Sequence, residues 1–281
     1  MREINVSEIT DIIEKGLIRA NYYLPEDITN SLEKAYRIES STLCKIALSA
    51  IIENQAVANE MNIPICQDTG MAVIFMDIGQ DVHFIGGSLK NAIDEGVKRA
   101  YLNGYMRCSI VADPLFERKN TDDNTPAVVH MNIIDGENVN ISIAPKGFGS
   151  ENMSQIRMFN PSVKIENIID FIVSVAQKAD ANPCPPIVLG VGIGGDFEYS
   201  AVLAKKALTL PLDYVHENEK YDDMSKTIIK KINDLRIGSQ GFIGDTTILG
   251  LNILSAPTHI AGLPVAVNVG CHVNRHINIV L

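Results

Sequence analysis

The 281-residue sequence predicts a mixed α/β fold: one compact domain in which a mixed sheet is flanked by helices and the N-terminal part is mainly helical. Three observations predict it. Apolar residues recur at helical spacing over residues 6–60. Later apolar runs are short enough to be buried strands, and further helical stretches separate them. With 46% hydrophobic residues, the chain has ample material for a large core.

Taken in order, Ile9, Ile12, Ile13 and Leu17 mark a first helix. The stretch Ser41 to Glu60 is rich in Ala, Leu and Ile, with Ser41 or Thr42 as its cap. The pattern changes at Pro64, and Met71 to Gly79 reads as a buried strand. Gly86-Gly87-Ser88 opens a helix from Leu89 to Asn103, and Asp113 to Pro126 is a long polar loop. Two strands, Ala127 to Ile134 and Asn138 to Ala144, are joined by Asp135-Gly136-Glu137, a hairpin signal. Lys146 to Asn152 reads as a glycine-bearing loop, and a helix follows Pro161 up to residue 180. Ile187 to Gly192 is strand-like and leads into a helix from Phe197 to Leu208. Ile228 to Arg236 reads as helix, Gly238 to Thr247 as a loop, and Leu263 to Val269 as a final strand. Repeats, low-complexity tracts and a clear linker are absent from the sequence.

The formal net charge is −10, and no basic stripe runs along the chain. That excludes the usual electrostatic footprint of a nucleic-acid binder. An anionic substrate would need locally placed cations, for which Arg107, Arg118, Lys146 and Arg275 are available. No apolar run reaches the roughly 18 residues of a membrane span, and Met1 to Glu8 does not read as a signal peptide. Five cysteines, odd in number and sparse, argue against a disulfide framework and for a reducing cytoplasm.

Three of these cysteines have unusual surroundings. Cys66 lies in Ile65-Cys66-Gln67-Asp68-Thr69-Gly70, Cys184 in Asn182-Pro183-Cys184-Pro185-Pro186, and Cys271 in Asn268-Val269-Gly270-Cys271-His272-Val273-Asn274-Arg275-His276. Each sits at a junction beside Pro or Gly, where a sulfur is exposed and backbone amides favour a thiolate. Cys44 fits a helical core, Cys108 is ambiguous, and no Cys-x-x-Cys spacing exists. Gly190-Val191-Gly192-Ile193-Gly194-Gly195 satisfies the dinucleotide pattern, with Asp213 at ribose-binding distance. Glycines that admit close helix–sheet packing explain the same run. His130, His259, His272 and His276 read as hydrogen-bonding or core residues rather than a metal trio.

Taken together, the three cysteine peptides resemble the iron–sulfur hydro-lyases of the class I fumarate hydratase and L-tartrate dehydratase family. So do Asp113-Pro114-Leu115 through Asn120-Thr121, Asn124-Thr125-Pro126, Pro145 to Asn152, Gly192 to Gly195 and Cys271-His272. The resemblance covers nearly the whole chain, residues 1–281, as the N-terminal domain or separate alpha subunit of that family. It implies a [4Fe-4S] cluster held by Cys66, Cys184 and Cys271, with the fourth iron open to substrate. It places Gln67, Asp68, Arg107 and Gly149 at the dicarboxylate, with Asp68 as the acid serving the departing hydroxyl. Phe148 departs from the pattern where a glycine is expected. The family's C-terminal domain carries a catalytic threonine and further cations, and none of it follows Leu281. A beta-subunit partner and a higher hetero-oligomer are therefore expected. The activity implied is dehydration of malate to fumarate, with L-tartrate to oxaloacetate as the alternative. A nucleotide-dependent oxidoreductase using Gly190 to Gly195, or a non-catalytic iron–sulfur scaffold, are the readings from other classes.

Overall fold

In the computed structural model, which describes residues 1–281, strand β1 (Arg2–Asn5) leads into helices α1 (Val6–Tyr22), α2 (Glu26–Ile38) and α3 (Thr42–Met61). Then come β2 (Met71–Gly79), β3 (Val82–Ile85), α4 (Leu89–Asn103), β4 (Val128–Ile134), β5 (Val139–Lys146) and a single helical turn, α5 (Phe148–Glu151). The chain continues through β6 (Gln155–Phe159), α6 (Ile165–Ala179), β7 (Ile187–Gly195), α7 (Phe197–Ala207) and α8 (Glu219–Asn233). A 3-10 turn, Ser239–Gly241, precedes β8 (Ile248–Thr258), β9 (Leu263–Gly270) and β10 (Ile277–Val280). The class is the mixed helix-and-strand one that the sequence predicts. The backbone gathers into two compact units, each with its own four-stranded mixed sheet, where the sequence reading anticipated one sheet.

The first unit comprises Met1–Pro25, Gln55–Phe148 and Arg275–Leu281. Its α1 starts where Asn5 accepts from the Ser7 amide at 3.0 Å, and it buries Ile9, Ile13 and Leu17 on one face. α4 starts at Ser88, which caps the Asn91 amide, and buries Ile93, Val97, Ala100 and Tyr101. Both helices pack with the apolar face of a sheet ordered β10-β5-β2-β4, in which β2 runs parallel to β4 and antiparallel to β5.

This order overturns the hairpin expected at Asp135-Gly136. β4 and β5 do not pair with each other, because β2 lies between them. β2 is buried over Ala72 to Met76, whereas β4 is largely exposed, so the more apolar strand takes the centre. The turn stays open to receive the end of β2. The amides of Gly79, Gln80 and Asp81 donate to the carbonyls of Asn138, Ile134 and Gly136 at 2.8, 2.8 and 3.0 Å.

The second unit comprises Glu26–Asn54 and Gly149–Asn274. Its sheet is ordered β6-β9-β7-β8, with β7 parallel to β8 and antiparallel to β9. Ile187, Leu189, Val191 and Ile193 of β7 join a core with α6 and α8, including Ile172, Val175, Ile228 and Ile232. The alternate β7 positions, Gly190 and Gly192, lie against α7. A Cβ at Gly190 would stand 2.0 Å from the Ala204 carbonyl oxygen, and one at Gly192 the same distance from that of Ser200. These glycines are inside the strand, not in the strand–helix turn that a nucleotide fingerprint needs. At the start of α7, the Asp196 carboxylate already caps the Tyr199 amide, so a negative group occupies the place a phosphate would take. The Gly190–Gly195 run is thus a close-packing device. Gly192→Ala is expected to cost about 3 kcal/mol, the upper part of the usual overpacking range, measured by urea denaturation.

Other departures have local causes. α8 begins at Glu219 rather than Ile228, because its first two turns, capped by Asn218, are mostly polar, with only Tyr221 and Met224 packed against the core. Phe148 to Glu151, read as loop, forms one helical turn. Strands β1, β3, β6, β8 and β10 depart from the sequence expectation; all five are short or lie at sheet edges. No helix is long and apolar enough to cross a membrane.

Candidate active site

In the first unit the Ile65 to Gly70 peptide is gripped from several sides. Its aspartate, Asp68, accepts from the Gly70 amide at 3.1 Å through Oδ1 and from the Phe148 amide at 2.9 Å through Oδ2. The carboxylate lies close over Gly147, where a Cβ would stand 3.0 Å from Oδ2. Gly70 has φ +79°, and a Cβ there would meet the Lys146 backbone at 2.7 Å. Only glycine lets the two segments approach this closely with that backbone. The glycine-bearing Lys146–Phe148 segment therefore serves a carboxylate, and that carboxylate is Asp68's own. Phe148 contributes its backbone N–H, while its ring is exposed.

Further holds fix residues 69 and 70. Thr69 Oγ1 accepts from the Arg107 amide at 2.9 Å and donates to the Arg107 carbonyl at 3.2 Å. The Tyr101 hydroxyl reaches the carbonyls of Thr69 and Gly70 at 3.0 and 2.8 Å. Asn124 donates to the Gly70 carbonyl at 3.2 Å. Burial pushes the Tyr101 hydroxyl well above its ordinary pKa; Arg275 opposes that, and Asp68 and Cys108 add to it. Tyr101 therefore remains a neutral donor. The Cys108 thiol is raised as well, by burial first and then by Asp123 and Asp122.

Arg275 lies beneath this loop, 4% exposed, and its Nη2 donates to the Asp68 carbonyl. Its Nε and Nη1 are buried without a hydrogen-bond partner in the protein. Each such unmet donor costs about 1–3 kcal/mol. Of the other cations read from sequence, Arg107 and Arg118 are exposed, and buried Lys146 closes on the Gly147 carbonyl at 3.2 Å.

In the second unit, Cys184 is exposed and Cys271 partly exposed. Cys184 has φ +53°, a left-handed backbone that costs a β-carbon residue energy and must be held by its surroundings. The holds are visible. The Cys184 amide donates to the Ala181 carbonyl at 3.0 Å, and His272 Nδ1 lies 2.8 Å from the Cys184 carbonyl, so that nitrogen carries the proton. Gln240 donates to the Pro185 carbonyl from its backbone and from its side chain, both at 2.8 Å. His272 thus ties the residue after Cys271 to the Cys184 peptide.

The loop bearing Gln240 is anchored in turn by Glu39, 2% exposed. Its carboxylate accepts from the amides of Ser40, Ser41, Asp245 and Thr246 at 3.0–3.2 Å. Two of those amides lie at the N-terminal end of α3, where negative charge is favoured. Hydrogen bonds from Ser40, helped by Arg236, hold the nearby Asp245 carboxyl below its ordinary pKa. Cys44, fully buried, packs against Gly238 and Gly244 of the same loop, the core role expected for it. Glu39→Gln turns one acceptor into a donor facing these amides. It is expected to lower stability by about 3 kcal/mol, read by chemical denaturation.

The residues singled out from sequence divide as follows. Cys66, Gln67, Asp68 and Arg107 belong to the first unit; Gly149, Cys184 and Cys271 belong to the second. Neither unit by itself arranges three His, Cys, Asp or Glu side chains to hold a metal ion. A Cβ at Gly149 would make only an ordinary van der Waals contact, 3.9 Å from the Asn182 carbonyl oxygen. Tyr101, Gln240 and Glu39 carry the two constellations without having been singled out from sequence, and Asn124 stood out only within the Asn124-Thr125-Pro126 motif. Tyr101, Gln240 and the Glu39 bonds to Asp245 and Thr246 act over long sequence distances that leave no local pattern. Arg275 was noticed only as a cation.

The chain matches the model of the family described as "Fumarate hydratase (Fumerase)" over residues 10–280. It is 38% identical over 272 residues to "Putative L(+)-tartrate dehydratase subunit alpha" of Methanocaldococcus jannaschii, covering 95% of both chains. It is 29% identical over 272 residues to L(+)-tartrate dehydratase subunit alpha of Escherichia coli O157:H7, covering 96% of this chain and 89% of the relative. The same figures hold for the protein of that name in Shigella sonnei strain Ss046. The Cys66–Asp68 peptide, the Cys184 turn and the Cys271 segment all fall within the matched region, and the chain belongs to the fumarate hydratase family of hydro-lyases.

Proposed function

We propose that residues 1–281 act as the alpha-type domain of a [4Fe-4S]-dependent hydro-lyase that reversibly dehydrates a 2-hydroxydicarboxylate, malate to fumarate. The observation that carries this reading is Asp68: a partly buried carboxylate, two residues after Cys66, held by two backbone amides on a loop fixed from below. A second reading, L-tartrate to oxaloacetate, is favoured by the names of the relatives.

The donor set suits the cluster. The sulfur-bearing residues Cys66, Cys184 and Cys271 are exposed or partly exposed and lie outside the hydrophobic cores. Three thiolates are the ligands such a cluster takes when one iron is left open. When bound, the cluster supplies Lewis acidity toward the substrate hydroxyl. Asp68 holds the proton that the departing hydroxyl takes, and its two amide bonds keep that carboxylate in one orientation. Gln67 and Arg107, both exposed, bind and orient the dicarboxylate, with the Gly149 amide as a further donor. A beta-subunit partner supplies the base for the carbon-bound proton and the remaining cations, in a higher hetero-oligomer working in the cytoplasm.

The test is anaerobic co-production with the partner, followed by ultraviolet assay of double-bond formation from malate and, separately, of oxaloacetate from L-tartrate. Turnover of malate supports the first reading, and turnover of tartrate alone replaces it with the second. Failure with both, in protein that carries its cluster, overturns the hydro-lyase reading.

A further inference from the structure

Arg275 is a buried, permanently charged side chain whose cost is not met by its one hydrogen bond. It is 4% exposed, and two of its three guanidinium nitrogens are buried without a partner in the protein. A fold places such a group inside only where something else depends on it; local violations of polar satisfaction mark functional sites. Its bond goes to the backbone carbonyl of Asp68. The Tyr101, Asn124 and Thr69 hydrogen bonds grip residues 69 and 70, and Arg275 grips the aspartate's own peptide.

We propose that Arg275 is the positioning residue for Asp68, holding its peptide from the buried side so that the carboxylate stays between the Gly70 and Phe148 amides. The proposal rests on the reading of Asp68 given above for its catalytic consequence, but not for its structural one. Removing the guanidinium lets the Cys66–Asp68 half of the loop swing about the firmly held Thr69. The Asp68 carboxylate then loses its fixed approach to the Phe148 amide, 80 positions away in sequence. A planar, always-charged fork suits a single fixed carbonyl, and a lysine ammonium supplies the charge without the plane. The buried state of Nε and Nη1 speaks against Arg275 touching substrate itself.

The experiment is amide hydrogen exchange on the full chain with Arg275→Met and Arg275→Lys, and kinetics of the same variants assembled with the partner. Exchange in the peptide 66–70 is expected to speed up about tenfold or more in the Met variant, less in the Lys variant, with α6 unchanged. In the assembled enzyme, kcat is expected to fall by about tenfold or more while KM moves less than about threefold. Added guanidinium ion should restore part of kcat to Arg275→Ala. Unchanged exchange over 66–70 overturns the proposal. So does a raised KM at unchanged kcat, which would make Arg275 a substrate ligand. Lost protection across α6 in both variants also overturns it, since that marks a merely structural residue. If the exchange result holds while the unaltered enzyme turns over no dicarboxylate, the loop's positioning stands and the hydro-lyase reading alone fails.

Discussion

Serine in place of Cys66, Cys184 or Cys271 is expected to abolish the brown chromophore of the anaerobically reconstituted chain. A hydroxyl does not replace a thiolate toward iron, and a three-cysteine site has no spare ligand. In the assembled enzyme each variant should lose activity to background. The measurement is visible absorbance and iron content after reconstitution with iron and sulfide, aiming at one cluster per chain. Two controls give the result its meaning. Cys108→Ser should keep the chromophore, because burial and the neighbouring Asp123 and Asp122 hold that thiol protonated. Cys44→Ala should also keep it and lose only packing energy, about 1–2 kcal/mol, since its sulfur is buried against Gly238 and Gly244. Retention of the chromophore in all three serine variants would falsify the proposed ligand set.

Asp68→Asn is expected to lower kcat by roughly 10²–10⁴-fold, the usual worth of a positioned general acid. The asparagine keeps the shape of the side chain and one acceptor oxygen. Its amide nitrogen must face either the Gly70 or the Phe148 N–H, donor against donor. That mismatch should cost about 1–3 kcal/mol of stability, so kinetics must be measured well below the lowered melting temperature. Steady-state kcat and KM on malate and on tartrate are the readout. A loss confined to KM would make Asp68 a binding group and overturn its assignment as the acid.

How far the sequence could be read depended on the range of the interactions. α4 was readable to its ends because Gly87-Ser88 and Gly104 punctuate an apolar stripe within one short segment. β2, β7 and β9 were readable as continuous apolar runs. The Asp135-Gly136 turn was readable as a turn, but not as one holding the end of a third strand. Pairing partners are chosen by burial across the whole sheet, and β2 outcompeted β4 for the central place beside β5. Likewise Gly190-x-Gly192 fitted two explanations until α7 was found lying on those two Cα atoms.

The candidate site divides in the same way. The sequence alone singled out the peptides proposed to carry the chemistry: Cys66 with Gln67 and Asp68, Cys184 between prolines, Cys271 before His272. Their unusual neighbours are covalently fixed and need no folding to be seen. Only the tertiary structure decided what holds them. Asp68 takes its amide from Phe148, its peptide is gripped by Arg275, and the strained Cys184 turn is kept by His272 and Gln240. These bonds join residues from 55 to 207 positions apart. A hydrogen bond of that kind needs one distance and one angle, and a chain meets both only when its whole core has packed.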